Sequence, residues 1–198
     1  MAEVIIVDSG GANLASLQFA LERLGALTRV THNAAEVAAA PRVILPGVGS
    51  APHAMQRLQD CGLTAVLPHL TCPVLGICLG MQLLYQSSEE GPAQCLGILP
   101  GVAHRLKAAL GRPVPHMGWN QLMEVKDDPL LTGVRAGEHV YFVHSFALAV
   151  DAATLATANY GESICAVARR DNFWCTQFHP ERSARVGARI LANFLGVN

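Results

Sequence analysis

The first half of the chain alternates short uncharged runs, typical of buried strands, with segments of helical periodicity. Val4–Val7 is a continuous β-branched run, too apolar for a strand with one face in water. Leucines at helical spacing follow it, and Gly25 stands where a helix C-cap is expected. The same order then recurs, which predicts strands at Leu27–Thr31, Arg42–Leu45 and Pro73–Ile77 and helices at Ala34–Ala40, Ala51–Asp60 and Cys78–Tyr85. Such alternation predicts a parallel sheet with helices on both faces.

The second half of the chain has the pattern of strands joined by turns. Strands are predicted at 96–107, 114–126, 139–150, 154–160, 163–169 and 172–178, and a closing helix at Ser183–Leu195. No internal repeat and no linker-like composition divides the 198 residues. The sequence therefore predicts one α/β domain over residues 1–198, with a mostly parallel central sheet, helices on both faces and added antiparallel strands.

Composition excludes several classes of protein. With 51% hydrophobic residues, the chain has ample material for a core and is not of the disordered type. Its 14 Lys and Arg against 15 Asp and Glu make it a poor electrostatic match for nucleic acid or an acidic membrane surface. Residues 61–88 contain no charged side chain, but prolines and glycines interrupt them. We interpret this stretch as a buried strand that leads into a helix, not as a membrane span.

Cysteine usage and the N-terminus predict a reduced protein without a bound metal. The six cysteines show neither CxxC spacing nor a zinc-finger arrangement with histidine, so no metal site and no cofactor are expected. The chain opens directly on the apolar run after Glu3, without the basic and apolar regions of a secretion signal. We therefore expect a cytoplasmic protein, in which cysteines are free thiols or catalysts.

The segment Gly76-Ile77-Cys78-Leu79-Gly80 has the G-x-nucleophile-x-G spacing of a nucleophile elbow, with cysteine in place of serine. Its glycines permit a strained turn and a close approach of neighbouring backbone. A helix that begins at Cys78 would favour thiolate over thiol. The alternative interpretation is a buried free cysteine, the commonest fate of this residue in a reducing compartment.

The segment His179-Pro180-Glu181 could supply the base that a thiol nucleophile needs. It follows a predicted strand, and residues two apart in extended chain share a face, so Glu181 can accept a proton from the His179 ring. Pro180 favours an extended conformation at His179. A surface histidine beside a helix-capping acid is the alternative when the segment is considered alone. Together with the elbow, a Cys78–His179–Glu181 triad becomes the favoured interpretation.

Three further segments are candidates, each of which could also be ordinary strand and turn. Pro46-Gly47-Val48-Gly49 follows a strand and could supply backbone N–H donors to an oxyanion. Pro115–Asn120 concentrates large and polar residues in a chain that has few of them. Tyr141–Phe146 places His144 and Ser145 near a predicted strand end.

These motifs, in this order and over nearly the whole chain, resemble the class I (triad-type) glutamine amidotransferases. The resemblance rests on the PGVG turn, GICLGMQLL and FHPE. Within that family, PHMGWN and YFVHS are similar to the glutaminase subunits of imidazole glycerol phosphate synthases, which act in histidine biosynthesis.

The resemblance implies a role for each matching residue. Cys78 would attack the glutamine side-chain amide, His179 would act as base and then acid, and Glu181 would orient His179. Oxyanion donors would come from Gly47, Val48, Gly49 and Leu79, and substrate contacts from Gln82, Glu90, His144, Ser145 and Phe146. The products would be glutamate and ammonia. Ser9, Ala12 and Arg182 depart from the family pattern, in which Tyr, Gly and Lys are frequent at these places.

The resemblance also implies a partner, a (β/α)₈ cyclase subunit that forms a heterodimer with the glutaminase. Ammonia at pH 7 is mostly protonated in bulk water and then is not nucleophilic, so it needs a water-excluding route to an acceptor enzyme. The residues proposed for the contact are His116, Met117, Trp119, Asn120, Arg182 and Arg185. Two alternatives stay open: a glutaminase for another synthase, and a stand-alone cysteine-dependent γ-glutamyl hydrolase, which would need no partner.

Overall fold

The computed structural model describes residues 2–9, 14–91 and 93–197. In these ranges the helices are α1 (Leu14–Arg23), α2 (Ala34–Ala38), α3 (Ala51–Asp60), α4 (Leu79–Leu84) and α5 (Ala184–Gly196). The strands are β1 (Glu3–Val7), β2 (Leu27–Thr31), β3 (Val43–Gly47), β4 (Val74–Cys78), β5 (Ser87–Ser88), β6 (Ala93–Gln94), β7 (Val102–Arg105), β8 (His116–Val125), β9 (His139–His144), β10 (Phe146–Leu148), β11 (Thr154–Asn159), β12 (Ser163–Arg170) and β13 (Phe173–Thr176). Short 3₁₀ helices lie at Leu63–Ala65, Leu67–His69, Pro129–Leu131 and Pro180–Arg182.

A nine-stranded mixed sheet organises the described chain, in the order β2-β1-β3-β4-β13-β12-β11-β8-β9. The strands from β2 to β13 are parallel, and those from β13 to β9 are antiparallel. A smaller sheet has the order β10-β7-β5-β6. The carboxyl ends of β3, β4 and β13 therefore meet at one edge of the parallel half, where ligands bind in folds of this kind.

The parallel strands are buried on both faces, as their uncharged sequences predict. Val4 and Ile6 of β1 pack into a hydrophobic cluster with α1 and α5, whereas Ile5 and Val7 pack into a second cluster with α2, α3 and α4. Side chains on a strand point alternately to the two faces, so this division places helices on both sides of the sheet. The structure thus confirms the predicted α/β fold class.

Several predicted bounds in the first half are close to those observed. The helix predicted at Ala51–Asp60 and the strand predicted at Leu27–Thr31 coincide with α3 and β2. β3 extends to Gly47, two residues past its predicted end. α4 begins at Leu79, so Cys78 is the last residue of β4 and the N-cap of the helix, not its first residue.

The second half differs more from the prediction. The segment 139–150, predicted as one strand, forms β9 and β10, which belong to different sheets and are separated at Ser145. Only Val102–Arg105 of the predicted strand 96–107 is a strand. The sequence does not predict β5 and β6, because strands of two residues have no detectable periodicity.

No helix among the described residues is long and apolar enough to span a bilayer. The departure from the family pattern at Ala12 lies outside the described residues. The departure at Ser9 is described: its hydroxyl is buried and donates to the Pro46 carbonyl at 3.0 Å.

Candidate active site

Cys78 lies on a strained turn between β4 and α4. Its φ of 56° and ψ of −111° fall in a region that L-residues other than glycine rarely adopt. The residue is 8% exposed, and its Sγ lies 3.6 Å from the Val143 carbonyl and 4.0 Å from Nε2 of Gln177. A cysteine on this turn is aimed at the carboxyl edge of the sheet, as the elbow motif predicts.

The flanking glycines allow backbone segments to approach one another closely. A Cβ atom on Gly80 would lie 1.8 Å from the Leu45 carbonyl oxygen, and one on Gly76 would lie 2.8 Å from a Leu84 methyl group. On Gly47, a Cβ would lie 2.7 Å from the Gly80 nitrogen. Real Cβ contacts of this length do not occur, so the first turn of α4 packs on the end of β3 only because these positions lack side chains.

The main chain of His179 is fixed by hydrogen bonds beyond β13. Its N–H donates to the Tyr141 carbonyl of β9 at 2.9 Å, and its carbonyl accepts from the Ser183 hydroxyl at 2.7 Å. The same hydroxyl accepts from the Tyr141 N–H at 2.9 Å. Ser183 therefore bridges the His179 carbonyl to the Tyr141 N–H, in addition to the direct bond from the His179 N–H to the Tyr141 carbonyl. Nothing in the sequence around Ser183 indicates this role.

The His179 ring has the arrangement expected of a general base. Its Nδ1 lies 2.8 Å from Oε1 of Glu181, while its buried Nε2 has no hydrogen-bond partner among the described residues. Burial lowers the pKa of His179, but interactions with Cys78 and Glu181 outweigh it and raise the pKa to about 10. The ring thus holds a proton strongly when an anionic sulfur is beside it. The ring of His179 therefore lies between Glu181, at Nδ1, and Cys78, whose interaction with the ring raises its pKa.

A cavity of about 390 Å³ opens in front of Cys78 and His179. It is lined by Gly47, Val48, Gly49, Cys78, Leu79, Gln82, Glu90, Pro115, Val143, His144, Ser145, Phe146, His179 and Arg182. All the residues predicted as oxyanion donors and substrate contacts line this cavity. Pro115 and Val143 also line it, although neither is predicted as an oxyanion donor or a substrate contact. Within the described ranges, no three His, Cys, Asp or Glu side chains are grouped so that they could hold a metal ion.

Glu90 has a structural partner as well as a place in the cavity wall. Its Oε2 accepts from the Ala51 N–H at 2.8 Å, at the start of α3, where Ser50 makes no side-chain cap. One carboxylate oxygen therefore stabilises the helix N-terminus. The negative charge of this group faces the cavity, where it is suited to the ammonium group of an amino acid.

Two buried glutamines stand behind Cys78. Nε2 of Gln82 donates to the Phe146 carbonyl at 3.0 Å and to Oε1 of Gln177 at 3.1 Å. Gln177 is fully buried and in turn places its Nε2 near Cys78 Sγ. The sequence does not predict Gln177 in the site, because a single glutamine at a strand end has no distinguishing pattern.

The prediction that His116 lies on the partner face is wrong. Its side chain is 3% exposed and its Nδ1 lies 2.9 Å from Nε2 of His144, because alternate residues of β8 point to opposite faces and His116 points inward. Asn120 is half-buried and turns its amide toward His116. Burial lowers the pKa of both imidazoles to about 4, so both are neutral at pH 7.

Met117 and Trp119, from the same strand, are exposed at 66% and 53%. Trp119 lies edge-on to the Tyr141 ring at 6.0 Å, and the Arg182 guanidinium lies over that ring at 4.8 Å. We call Met117, Trp119, Tyr141 and Arg182 the aromatic face. Arg182 also lines the cavity, so the aromatic face reaches its mouth. Arg185 is exposed but lines a separate concavity with Gly133, Arg135, Glu138 and Arg189.

Comparisons with known proteins identify the family of this chain. Residues 5–197 match the family described as glutamine amidotransferase class-I. The chain is 51% identical over 195 residues to the imidazole glycerol phosphate synthase subunit HisH of Xanthomonas axonopodis pv. citri, with 98% of each chain covered. It is also 51% identical, with 98% of each chain covered, to the subunit of the same name from Xylella fastidiosa strain Temecula1.

Solved structures with lower identity share the fold. One described as a glutamine amidotransferase has a TM-score of 0.75 at 21% identity, covering 98% of this chain and 99% of its own. The structure of PurLQS from Thermotoga maritima has a TM-score of 0.72 at 19% identity, covering 99% of each chain.

Proposed function

The chain belongs to the class I glutamine amidotransferases, and on that premise we propose that it is the glutaminase subunit of an imidazole glycerol phosphate synthase. It hydrolyses glutamine to glutamate and ammonia, and residues 1–198 act as one glutaminase domain. The ammonia passes to a separate (β/α)₈ cyclase subunit, which makes imidazole glycerol phosphate and aminoimidazole carboxamide ribonucleotide. The similarity to HisH subunits over 98% of the chain supports this role in histidine biosynthesis. We place this activity in the cytoplasm, where the thiol is kept reduced.

The single observation that supports the chemistry best is the pairing of a strained, buried cysteine with a histidine whose second nitrogen is bound by a carboxylate. Cys78 provides the sulfur, His179 accepts its proton at Nε2, and Glu181 holds Nδ1–H at 2.8 Å. The carboxylate fixes the tautomer that leaves Nε2 free to receive a proton and stabilises the imidazolium that results.

The reaction follows in two steps. The Cys78 thiol gives its proton to His179, and the sulfur attacks the side-chain amide carbon of glutamine while N–H groups of Leu79 and Gly47–Gly49 receive the oxyanion. The imidazolium then protonates the amide nitrogen as the C–N bond breaks, which releases ammonia and leaves a γ-glutamyl thioester. Water, deprotonated by His179, attacks the thioester carbon, and the restored thiol and glutamate are the products.

The remaining cavity residues are suited to the amino-acid end of glutamine. Glu90 supplies a negative charge for the ammonium group, and the backbone of His144–Phe146 supplies further polar groups to the cavity wall. The Gln82 side chain donates to the Phe146 carbonyl and to Gln177. These two hydrogen bonds hold its amide in one orientation toward the substrate. We assign Gln82, Glu90 and residues 144–146 to substrate binding.

The aromatic face is the proposed contact with the cyclase subunit. Met117 and Trp119 expose apolar area of the kind that is enriched at protein interfaces, and Arg182 adds a charge at its rim. Because this face reaches the mouth of the cavity, a partner seated on it covers the site and gives ammonia a route that excludes water. The charged Arg185 is assigned to the edge of the contact.

The first experiment measures glutamate formation from glutamine by the chain alone and with a cyclase subunit plus its nucleotide ligand. We expect low activity alone, strong stimulation in the complex and none in Cys78→Ala. Full glutaminase activity without the partner, and no stimulation by it, would refute the synthase-subunit role and favour a stand-alone hydrolase. Activity that survives in Cys78→Ala would refute the triad.

A second measurement tests the contact. Trp119→Ala is expected to weaken binding to the cyclase subunit by at least tenfold, a typical effect for a central aromatic anchor. Leu27→Ala is the matched control, since Leu27 is an exposed apolar side chain on β2, at the opposite edge of the sheet. Equal affinities of the two variants would show that the aromatic face is not the contact.

A further inference from the structure

Two buried histidines outside the triad are joined directly to each other. His116 of β8 and His144 of β9 are opposite residues of an antiparallel pair, and Nδ1 of His116 lies 2.9 Å from Nε2 of His144. The His116 ring is stacked between Tyr160, at 3.9 Å, and Phe142, at 4.8 Å. The ring can therefore neither rotate freely nor exchange its partner for water.

The partners of this pair fix where each proton lies. Nδ1 of His144 lies 2.8 Å from the Phe146 carbonyl, which can only accept, so Nδ1 carries the His144 proton. Nε2 of His144 is then an acceptor, and His116 must donate to it from Nδ1. The remaining His116 nitrogen, Nε2, accepts from the amide of Asn120 at 3.3 Å. Asn120 also donates to the Asn159 carbonyl at 2.9 Å.

The inner end of this chain of hydrogen bonds lies in the wall of the cavity. The Phe146 carbonyl that accepts from His144 also accepts from Nε2 of Gln82 at 3.0 Å. His144, Phe146 and Gln82 all line the cavity in front of Cys78. The series of hydrogen bonds thus runs from the half-buried Asn120 of β8 to the Phe146 carbonyl, which orients Gln82 and His144.

We propose that His116 is a positioning residue for the glutaminase reaction: through His144 it holds the Phe146 carbonyl and the Gln82 amide in the orientation that receives the substrate. This inference rests on the proposed function. His116 lines no part of the cavity, so its effect on the substrate passes through His144. Loss of the His116 donor leaves the His144 acceptor buried and unpaired, and His144 regains a partner only by turning away from Phe146.

The test compares two variants that differ in one hydrogen bond. His116→Phe keeps an aromatic ring between Tyr160 and Phe142 but cannot donate to His144. In His116→Asn, the amide nitrogen occupies the place of Nδ1 and keeps the donor. Tyr160→Phe is the matched control, because it keeps the stacking and removes only the distant hydrogen bond to the Pro113 carbonyl.

The assay measures kcat and KM for glutamine in the complex with the cyclase subunit. His116→Phe is expected to raise KM at least tenfold with a smaller change in kcat, while His116→Asn and Tyr160→Phe stay within about threefold of wild type. The proposal would be overturned if KM rose equally in His116→Phe and His116→Asn, or if His116→Phe kept the wild-type KM. If His116→Phe does not fold, Asn120→Ala replaces it, with an expected rise in KM of at least threefold, and a wild-type KM would overturn the proposal.

A second readout separates this inference from the proposed function. The rate of Cys78 alkylation by an electrophilic glutamine analogue saturates with concentration if the cavity binds glutamine, whereas alkylation by iodoacetamide does not report on the amino-acid end. His116→Phe is expected to raise the half-saturating concentration of the analogue at least tenfold and to leave the iodoacetamide rate unchanged. Without saturation in the wild-type chain, the proposed function fails. Equal saturation in wild type and His116→Phe means that only the positioning role fails.

Discussion

Acid should destabilise this protein partly through the buried His116–His144 pair, and the effect can be isolated with one substitution. Burial lowers the pKa of each imidazole to about 4 in the folded chain, and an unfolded histidine has a pKa of about 6.5. Between these values the unfolded chain binds more protons than the folded chain. The stabilisation is therefore complete above pH 6.5 and is lost as the pH falls toward 4.

The size of the effect follows from the two pKa values. At pH 5 the unfolded imidazole is almost fully protonated and the folded one is almost neutral, so the free energy of unfolding falls by about 1.2 kcal/mol per pH unit for one histidine. From pH 7 to pH 4.5 the loss for one histidine adds up to at most about 2.5 kcal/mol. Because the two rings share a hydrogen bond, protonation of one opposes protonation of the other, so their losses do not simply add.

The measurement is urea unfolding of wild type and His116→Asn at pH values from 7 to 4.5. Carboxylates titrate alike in both proteins and cancel in the difference. His116→Asn is expected to gain about 2 kcal/mol relative to wild type over this range, since it keeps the donor to His144 but has nothing to protonate. A difference in stability that does not depend on pH would refute the assignment of a neutral, buried His116.

Two further predictions concern the triad and the turn that bears its nucleophile. Gly80→Ala places a Cβ 1.8 Å from the Leu45 carbonyl oxygen and is expected to destabilise the chain by about 3 kcal/mol. Gly196→Ala, at the open end of α5, should stabilise it by about 0.5 kcal/mol in the same urea unfolding experiment, and equal effects would contradict the close packing. Glu181→Gln removes a charge that raises the pKa of His179 and should lower both that pKa and glutaminase activity, the latter at least tenfold. An NMR titration of the ring and a glutamate assay check this, and an unchanged pKa would contradict it.

The parallel half of the fold is predictable because its strands are buried on both faces. A strand such as Val4–Val7 has no polar position, so its sequence alone excludes an exposed edge or a solvated face. The elbow is predictable for a related reason, since Gly76 and Gly80 mark places where side chains would collide. In both cases, burial or close packing restricts the residue types within a short stretch of sequence, where the pattern can be recognised.

The antiparallel half and the deeper site residues depend on contacts distant in sequence. Ser145 interrupts a segment that alternates like one strand, and only its pairing partners show that the two sides join different sheets. Gln177 and Ser183 act through neighbours far along the chain. The sequence indicates that the segment containing His116 is unusual, but it does not show that His116 is buried. Which face of β8 points inward depends on the pairing with β9 and the packing against Tyr160.

The contact between Gly47 and Gly80 has a mechanical consequence. Gly47 of β3 is paired in register with Cys78 of β4, and no space for a side chain is left between Gly47 and the first turn of α4, so Gly47 and Cys78 are held together. Beyond Gly47 this restraint ends: Val48 is exposed, and Gly49 has a φ of 90° with no atom within 4 Å of where a Cβ would lie. A change in the direction of the N–H groups that we propose as oxyanion donors can be confined to these two residues, so these N–H groups can reorient while the sulfur stays in place.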